Sequence, residues 1–209
     1  MGTKERRARE KAARKEQVLQ AAREVFAWKG FEGATVEEIA ARAELSKGAV
    51  YLYFRSKEEI FLSMWRSTVD FFVEQAEQAL NLTGGLVARF AALLDVYIGL
   101  LRLYPDFIEA ILNWKHGDLK EKVSAETYEA VVVRCLHVHA SLLKVLEDGM
   151  REGLFRRVDA PSFITMILGA FNGVLLMLKN PEHQKMALRS QDEVYSFMRD
   201  YFLTTLLVK

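Results

Sequence analysis

The sequence predicts an all-α fold of about nine helices, and three observations carry that prediction. Apolar residues recur at helical spacing along nearly the whole chain. No stretch of useful length alternates between apolar and polar residues, as a half-buried β-strand would. Three prolines among 209 residues leave room for long helices. With 51% hydrophobic and 27% charged residues, the composition is that of a globular chain of one domain or two small ones.

Three helices are predicted in the first third of the chain. The first covers 11–29 and is followed by a glycine in the position of a C-terminal cap. The second covers 35–44 and begins with a capping box. In it the Thr35 hydroxyl accepts from the Glu38 amide, and the Glu38 carboxylate returns to the Thr35 amide. The third covers only 46–54, which is too short to be stable without tertiary packing.

Longer helices are predicted for most of the remainder. A second capping box, from Ser56 to Glu59, opens a helix that reaches about Leu80, where a Thr-Gly-Gly sequence breaks the chain. Prolines at the starts of two later helices fit the first helical turn, where their missing amide is not needed. The further predicted helices are 86–103, 105–114, 123–152, 160–178 and 191–208.

Basic residues concentrate at the start of the chain. The formal net charge is only +1, yet the first fifteen residues contain seven basic and two acidic side chains. Residues 1–10 are therefore treated as a basic arm. Such an arm is typical of proteins that bind a nucleic acid or an anionic membrane, although a solvated helix end has the same composition. Arg6, Arg7 and Arg9 would either enter a DNA minor groove or stay unstructured.

One stretch has nearly the length and apolarity of a membrane span. Residues 160–178 contain no charged side chain, but they include several polar and small residues. A buried or interface helix is the favoured interpretation, with a peripheral membrane protein as an alternative. The charged N-terminus lacks the apolar core of a secretory signal, and a single cysteine allows no disulfide within the chain. We therefore expect a cytoplasmic protein without a membrane partner.

The second and third helices, joined by a tight turn, form a predicted helix-turn-helix. Apolar residues of the three N-terminal helices can build one small core, which leaves the outer face of the third helix free. Such a helix enters the major groove of double-stranded DNA with its first residues nearest the base edges. Gly48 and Ala49 are small enough for close approach, and Tyr51 and Tyr53 carry hydroxyls within reach of phosphate oxygens.

Charged residues and helix starts extend this predicted surface. Lys47 can donate to guanine or to phosphate, and Lys57 with the free amides after Ser56 offers a further anion site. Thr35 and the backbone amides that follow it offer another anion site at the opposite edge of the predicted surface. The predicted DNA-binding residues are Thr35, Val36, Ser46, Lys47, Gly48, Ala49, Tyr51, Leu52, Tyr53 and Lys57.

These residues carry a family resemblance. TVEEIAARAELSKGAVYLYFRSKEE (35–59) resembles the DNA-binding signature of TetR-type transcriptional repressors, and the resemblance extends back through AAREVFAWKGF (21–31). The chain departs from the family at Glu44, where the turn usually has glycine. A left-handed non-glycine residue there costs roughly 1 kcal/mol. The resemblance implies a homodimer, an inverted-repeat operator and a small effector that releases the DNA. It divides the chain into a head, 11–62, and an effector-binding and dimerisation body, 63–209.

The last two predicted helices are the candidate dimer interface. An apolar helix with small residues permits close packing, and two copies of the pair would form a four-helix interface. The alternative is that both helices only cover the chain's own core. The predicted interface residues are Phe163, Ile167, Ala170, Phe171, Val194, Met198, Tyr201 and Phe202.

The body helices also carry an excess of apolar residues with a few polar groups, as pockets between bundle helices do. A small hydrophobic effector, either a lipid-like acyl compound or a flat hydrophobic molecule, is the predicted ligand. Ordinary core packing is the alternative for any one of these residues. The predicted ligand-binding residues are Phe90, Leu94, Tyr97, Phe107, Ile111, Trp114, Leu136, His137, Met166 and Asn172.

Catalysis, metal binding and a resident cofactor are not expected. His137 and His139 lie two residues apart on a helix and point about 200° apart, so they cannot share one ion. No serine–histidine–aspartate set, phosphate loop or carboxylate pair stands out by its spacing. An all-helical enzyme with an incidental helix-turn-helix remains an alternative, and a DNA-binding regulator is the favoured prediction.

Overall fold

Helices account for almost all of residues 3–112 and 119–208, which are the residues that the computed structural model describes. The all-α prediction is confirmed. This part of the chain contains one π-helical segment, Tyr128–Val133, and the following α-helices: α1 Thr3–Gly33, α2 Val36–Arg42, α3 Lys47–Tyr51, α4 Lys57–Leu80, α5 Gly85–Leu103, α6 Pro105–Leu112, α7 Leu119–Lys122, α8 Ala125–Thr127, α9 Arg134–Arg151, α10 Ala160–Lys179, α11 Pro181–Met186 and α12 Gln191–Leu206.

The predicted helix starts depend on side-chain caps, and the structure contains them. At α2, the Glu38 amide donates to Thr35 Oγ1 (3.3 Å) and the Thr35 amide donates to Glu38 Oε2 (3.1 Å), which confirms the first capping box. At α4, the Glu59 amide donates to Ser56 Oγ (3.0 Å), but the Glu59 carboxylate accepts from the Arg55 amide instead of the Ser56 amide. The Ser56 half of the second capping box is therefore present, whereas its carboxylate half bonds one residue earlier than predicted.

The helix count exceeds the predicted nine because the predicted helix 123–152 is divided into three, and because two short helices, α7 and α11, were not predicted. Residues 123–152 form α8, the π-helical segment and α9 in place of one helix. Ser124 caps α8 by accepting from the Thr127 amide (3.3 Å). The short α11 was not predicted, since Asn180-Pro181 indicated only a helix end. Asn180 in fact also begins a helix, because its Oδ1 accepts from the Glu182 amide (2.9 Å).

The chain divides into two compact units. Among the described residues, the first unit contains 3–70 and 119–134, and the second contains 71–112 and 135–208. The sequence predicted a continuous head that ends at residue 62. The first unit instead extends along α4 and takes in a segment that returns to it from more than fifty residues later in the chain.

The first unit is built on the predicted three-helix core. Fully buried apolar side chains of α1, α2 and the α3 region meet there, and the α4 ring of Phe61 lies against Phe26 in an edge-to-face arrangement (5.5 Å between centroids). The sequence predicts a core of Val18, Ala22, Phe26, Ile39, Ala43, Leu45, Val50 and Phe54, and all of these are buried except Leu45, which is half-buried. Their burial, at roughly 2 kcal/mol for each large side chain, positions the short α3.

The second unit has its own core, formed by α5, α9, α10 and α12. Phe171 of α10 lies within 5.7 Å of the Tyr195 ring and 6.1 Å of the Phe202 ring, measured between centroids. The largest fully buried side chains of this unit are Phe90, Leu94, Leu101, Phe107, Leu146, Phe155, Ile164, Phe171 and Tyr195.

One described helix, α10, is long and apolar enough to cross a bilayer when length and composition alone are considered (mean hydropathy 1.8). Only 28% of its apolar window is buried in the protomer. A core helix of a soluble protein would be mostly covered, so much of the α10 surface remains available to a partner.

Candidate nucleic-acid interface

The turn between α2 and α3 positions the candidate DNA-binding helix. Ala43 ends α2, and the Leu45 amide donates back to the Ala40 carbonyl (2.9 Å) across the turn. Glu44 has a φ of 54°, the left-handed conformation that the sequence predicted. Ser46 then begins α3 by accepting from the Ala49 amide (3.1 Å). The turn geometry of a helix-turn-helix is thus achieved with glutamate in the glycine position.

Relieving the left-handed glutamate is expected to stabilise the protein. Glu44→Gly should raise the free energy of unfolding by about 1 kcal/mol, because glycine adopts positive φ without strain. The midpoint of thermal unfolding should rise by about 2–4 °C. Ala41→Gly, on the exposed face of α2, is the matched control and should instead lower stability. A lower midpoint for Glu44→Gly would show that the glutamate side chain stabilises the turn.

The outer face of α3 is open to solvent. Tyr51 is 46% exposed and Leu52 77% exposed, while Tyr53 is half-buried. Gly48 is also exposed, and a Cβ added there would meet only Ser46 Oγ, at 3.9 Å. Leu52, the residue that caps the end of α3, and Gly48 within α3 are therefore both open to solvent. This arrangement suits the floor of a DNA groove, where the leucine can contact a thymine methyl and the glycine lets the backbone approach.

Lys47, at the start of α3, is held by neighbours on the same surface. Its ammonium pairs with the Glu37 carboxylate of α2 and lies 5.8 Å from the centroid of the Tyr51 ring. The hydrogen bond with Glu37 raises the pKa of Lys47 and lowers the pKa of Glu37. Lys47 therefore keeps its charge and is held across the α2–α3 face.

Two of the predicted DNA contacts need correction. Val36 is only 7% exposed and packs in the head core, because the first turn of α2 points its apolar side inward. Lys57 donates to three backbone carbonyls at and just after the end of α1, those of Phe31 (2.7 Å), Glu32 (3.3 Å) and Ala34 (2.9 Å). Its three protons are thus already used, so Lys57 fixes the α1–α2 connection instead of offering a phosphate contact.

A buried carboxylate that sequence analysis missed joins α4 to the returning segment of the first unit. Glu59 is 3% exposed, and it accepts from the Arg55 amide (2.6 Å), the Ser124 amide (3.1 Å) and the Thr127 hydroxyl (3.2 Å). We call these four residues the Glu59 cluster. One carboxylate thereby satisfies donors at the starts of both α4 and α8. The Ser-Ala-Glu-Thr sequence at 124–127 signals a helix start, but nothing in it identifies Glu59 as the partner.

Three ion pairs, partly to fully exposed, reinforce the same junction. Lys122 pairs with Glu58 (3.0 Å), Arg66 with Glu126 (3.2 Å), and Arg134 with Asp70. Burial of Glu59 alone would raise its pKa, but the hydrogen bonds from Ser124 and the Arg55 amide outweigh burial and lower it. The carboxylate is therefore charged at neutral pH, and the junction holds in its ionised form.

The residues predicted for dimerisation separate into two groups. Ile167, Phe171 and Phe202 are buried in the core of the second unit and cannot face a partner in this conformation, which corrects that part of the prediction. Phe163, Ala170, Val194 and Met198 are half-buried, and Tyr201 is 58% exposed. The exposed apolar residues of these two helices are instead Met166, Gly169, Gly173, Leu176, Met177, Phe197 and Tyr201.

The residues predicted for ligand binding do not form one cluster. Phe90, Leu94 and Phe107 are fully buried core residues, whereas Ile111, Leu136, His137 and Met166 are exposed and cannot line an enclosed cavity here. Trp114 lies outside the described residues. The prediction that these residues together line one pocket is therefore wrong for this conformation.

Tyr97 and Asn172 are the two predicted ligand residues that the structure brings together. The Tyr97 hydroxyl donates to Asn172 Oδ1 (2.7 Å), and its ring lies beside Phe171 (6.5 Å between centroids). Burial raises the pKa of Tyr97 to about 12, although the bond to Asn172 opposes the rise. The hydroxyl is therefore neutral. Within the described residues, no group of three or more His, Cys, Asp or Glu side chains could hold a metal ion.

Comparison with known proteins agrees with this geometry. The model of bacterial regulatory proteins of the tetR family matches residues 18–64, the segment from the core of α1 into α4. The uncharacterized HTH-type transcriptional regulator YfiR of Bacillus subtilis is 38% identical over 155 residues, which are 71% of this chain and 71% of that protein. The named relatives are transcriptional regulators, not enzymes.

Two further similarities concern proteins with names linked to fatty acids. The fatty acid metabolism regulator protein of Bacillus subtilis is 31% identical over 85 residues, 41% of this chain and 44% of that protein, so the match spans less than half of its length. The solved structure of the transcriptional regulator FadR from Bacillus subtilis with stearoyl-CoA has a TM-score of 0.64 at 20% identity. It covers 91% of this chain and 98% of that one, which shows a shared fold. The chain belongs to the tetR family of bacterial regulatory proteins.

Proposed function

We propose that this chain is a cytoplasmic, homodimeric repressor that binds an inverted-repeat operator and is released by a small apolar effector. The observation that carries the proposal is the open outer face of α3, with its bare Gly48 and exposed Leu52, held on a buried three-helix core. Thr35 and Ser46, both exposed caps, bound this face at the two helix starts. A regulator of this kind acts where the DNA is, which supports the cytoplasmic location.

Dimerisation is supported by the uncovered surface of the C-terminal helices. On α10, Met166, Gly169, Gly173 and Met177 follow one another at helical spacing and are all exposed. On α12, the exposed Phe197 and Tyr201 rings stack on each other (6.1 Å between centroids, 21° between planes). A second copy of the chain would cover both surfaces through a two-fold axis, and a two-fold dimer matches an inverted repeat.

An acyl effector is supported by the core of the second unit. Its large aliphatic and aromatic side chains lie beside the neutral, half-buried polar pair of Tyr97 and Asn172. A long apolar chain with a single polar anchor suits such surroundings. The stearoyl-CoA bound to the Bacillus subtilis FadR, which shares the fold, makes an acyl thioester the first compound class to test.

The proposed route from effector to DNA runs along two helical segments. Residues of α4 belong to both units, and so do those of the continuous helical stretch from Tyr128 to Arg151. Both stretches are joined in the first unit by the Glu59 cluster. An effector that prefers one arrangement of the second unit would bias the direction of α4 and hence the position of α3. A differential affinity of about 1–3 kcal/mol between the two states is sufficient.

Selection of bound duplexes from a random DNA pool, at near-physiological salt, tests the proposed function. The expected result is an enriched inverted repeat with half-sites about one helical turn apart. Acyl-CoA compounds of increasing chain length would then be added to the complex, and release of the duplex should depend on chain length. If only salt-sensitive binding without enrichment is found, the proposal of a sequence-specific regulator fails.

Gly48→Leu separates DNA recognition from folding. Because a Cβ at position 48 would meet only Ser46 Oγ among the described residues, at an ordinary contact distance (3.9 Å), the variant should fold as well as the natural protein, and loss of a helical glycine should make it slightly more stable. The added side chain would hold α3 away from the base edges, so specific affinity should fall at least tenfold, about 1.4 kcal/mol. Fluorescence anisotropy on the selected duplex measures the loss, and thermal unfolding checks the fold.

Glu32→Leu is the control for that experiment, since it adds a leucine at an exposed position before α2, away from α3. It should leave specific affinity unchanged. Equal affinity of Gly48→Leu and the natural protein would mean that α3 does not enter the groove.

A further inference from the structure

The first helix is much longer than the head core requires. It begins at Thr3, yet its first buried residue is Val18, and Lys4 through Arg14 are all exposed. Alanine, arginine, lysine and glutamate, which are good helix formers, make up the whole of 4–15. The anchored part of α1 supplies the helical nucleus, so extending it by these residues costs little. The result is about three turns of helix in which the side chains of residues 4–14 are all exposed.

The charges of this extension are sorted by face. Residues 4–15 contain seven basic and two acidic side chains, and five of the basic ones share one side of the helix because they recur at spacings of three and four. Arg6 and Arg9 lie on the other side, where Arg6 pairs with Glu10 (3.5 Å). We call the shared side the basic stripe; its members are Lys4, Arg7, Lys11, Arg14 and Lys15.

The direction of the basic stripe follows from where α1 is anchored. At 100° for each residue, the stripe has the same angular position as the buried Val18 and Ala22, so it continues the buried side of α1, which packs on α2. Two contacts mark the junction. The Lys15 ammonium lies 5.7 Å from the centroid of the Phe54 ring, just beyond α3, and Gln17 Nε2 donates to the Ala43 carbonyl (2.8 Å) at the α2–α3 turn.

We infer that the basic stripe is a second DNA-binding element, which contacts backbone phosphates next to the half-site that α3 contacts. The inference rests on the proposed function and adds a contact to it. From Lys15 to Lys4 the helix extends about 16 Å, or about five base pairs of DNA. Lysine ammonium and arginine guanidinium groups form charge-assisted hydrogen bonds with phosphate oxygens. The stripe therefore adds affinity and lengthens the contacted DNA without reading its sequence.

DNA fits the stripe better than a lipid surface does. A helix that lies on a membrane needs an apolar side to enter the lipid, and residues 4–15 have no apolar side chain larger than alanine. The stripe also begins beside the α3 region, on the side of α1 that faces it, so a duplex bound to α3 lies nearby.

Two variants that remove the same charge test the inference. Arg7→Ala/Lys11→Ala removes two members of the stripe, whereas Arg6→Ala/Arg9→Ala removes two basic residues from the opposite side. Alanine preserves the helix in both. Affinity for a duplex recovered by selection, and for a random-sequence duplex of the same length, is measured between about 50 and 200 mM salt. Hydroxyl-radical footprinting measures the length of protected DNA.

For Arg7→Ala/Lys11→Ala, we expect the plot of log affinity against log salt concentration to be less steep by about 1.8 for each protomer. The decrease should be the same on both duplexes. The protected DNA should be shorter at its two ends. Arg6→Ala/Arg9→Ala should keep most of the slope and the full footprint. Equal slopes for the two variants would overturn the inference, because the effect would then be that of net charge. A second outcome would also overturn the inference. In it, the natural protein and Arg6→Ala/Arg9→Ala bind anionic vesicles, Arg7→Ala/Lys11→Ala does not, and the DNA affinity of Arg7→Ala/Lys11→Ala is unchanged. If the natural protein bound no duplex at all, the proposed function itself would fail.

Discussion

Glu59→Ala is expected to lower the free energy of unfolding of the first unit by about 3 kcal/mol. The carboxylate is almost completely buried and satisfies two backbone amides and one hydroxyl. Buried donors that lose their acceptor cost about 1–3 kcal/mol each, and water can enter part of the space that alanine leaves. Removing the Glu59 carboxylate should also release the segment 119–134 from α4, because the hydrogen bond from the Ser124 amide to that carboxylate disappears.

Hydrogen exchange measures that release directly. The amides of α8 and of the π-helical segment should exchange much faster in Glu59→Ala, while those of α5 and α12 should change little. Glu58→Ala is the matched control. Its carboxylate pairs with Lys122 at a partly exposed site, so the change should cost less than about 1 kcal/mol. Similar losses for the two variants would mean that the buried carboxylate has no special role in joining the segment to α4.

The same carboxylate predicts an acid dependence. Because hydrogen bonding from Ser124 and the Arg55 amide outweighs burial, the folded pKa of Glu59 lies below the ordinary value of 4.5. A lowered carboxyl pKa contributes stability that is fully present above pH 4.5 and is lost as the pH falls through the folded pKa. The difference in stability between the natural protein and Glu59→Gln should therefore be largest at neutral pH and should shrink in acid.

The local features of the head were predictable from the sequence because their signals are local. The capping box at Thr35, the left-handed Glu44 and the exposed side of α3 each depend on residues within a few positions. The partners of Lys57 lie 23–26 residues away, and a lysine that follows a helix cap looks the same whether it reaches phosphate or carbonyl oxygens. The partners of Glu59 across the junction lie 65 and 68 residues away, where no periodicity connects them.

The orientation of α10 was unpredictable for a different reason. A helical pattern indicates which side is buried only when polar residues mark the other side, and residues 160–178 have no charged residue to mark it. The sequence therefore identified the helix as an interface candidate but assigned Ile167 and Phe171 to the partner. In the structure they are the core side, and the glycines lie on the open side.

Gly173→Arg is expected to abolish the proposed dimer without unfolding the protomer. A Cβ at position 173 would meet no atom within 4 Å, and the backbone there is ordinary helix, so an arginine can extend into solvent. In a dimer that covers α10, the same arginine would be buried at the closest approach of two helices, where an unpaired charge is highly unfavourable. Sedimentation should show a monomer. Thermal unfolding should show that this monomer is as stable as an isolated natural protomer.

DNA binding should report the same change more strongly than sedimentation does. A dimer binds its second half-site at high effective concentration, so losing the partner should weaken operator binding by about 10²–10⁴-fold while binding to a single half-site persists. Ser196→Arg adds the same charge to α12, away from the stacked Phe197 and Tyr201, and should keep both the dimer and the affinity. If Gly173→Arg remained dimeric, the open side of α10 would not be the interface. A different surface would then have to set the spacing of the two α3 helices.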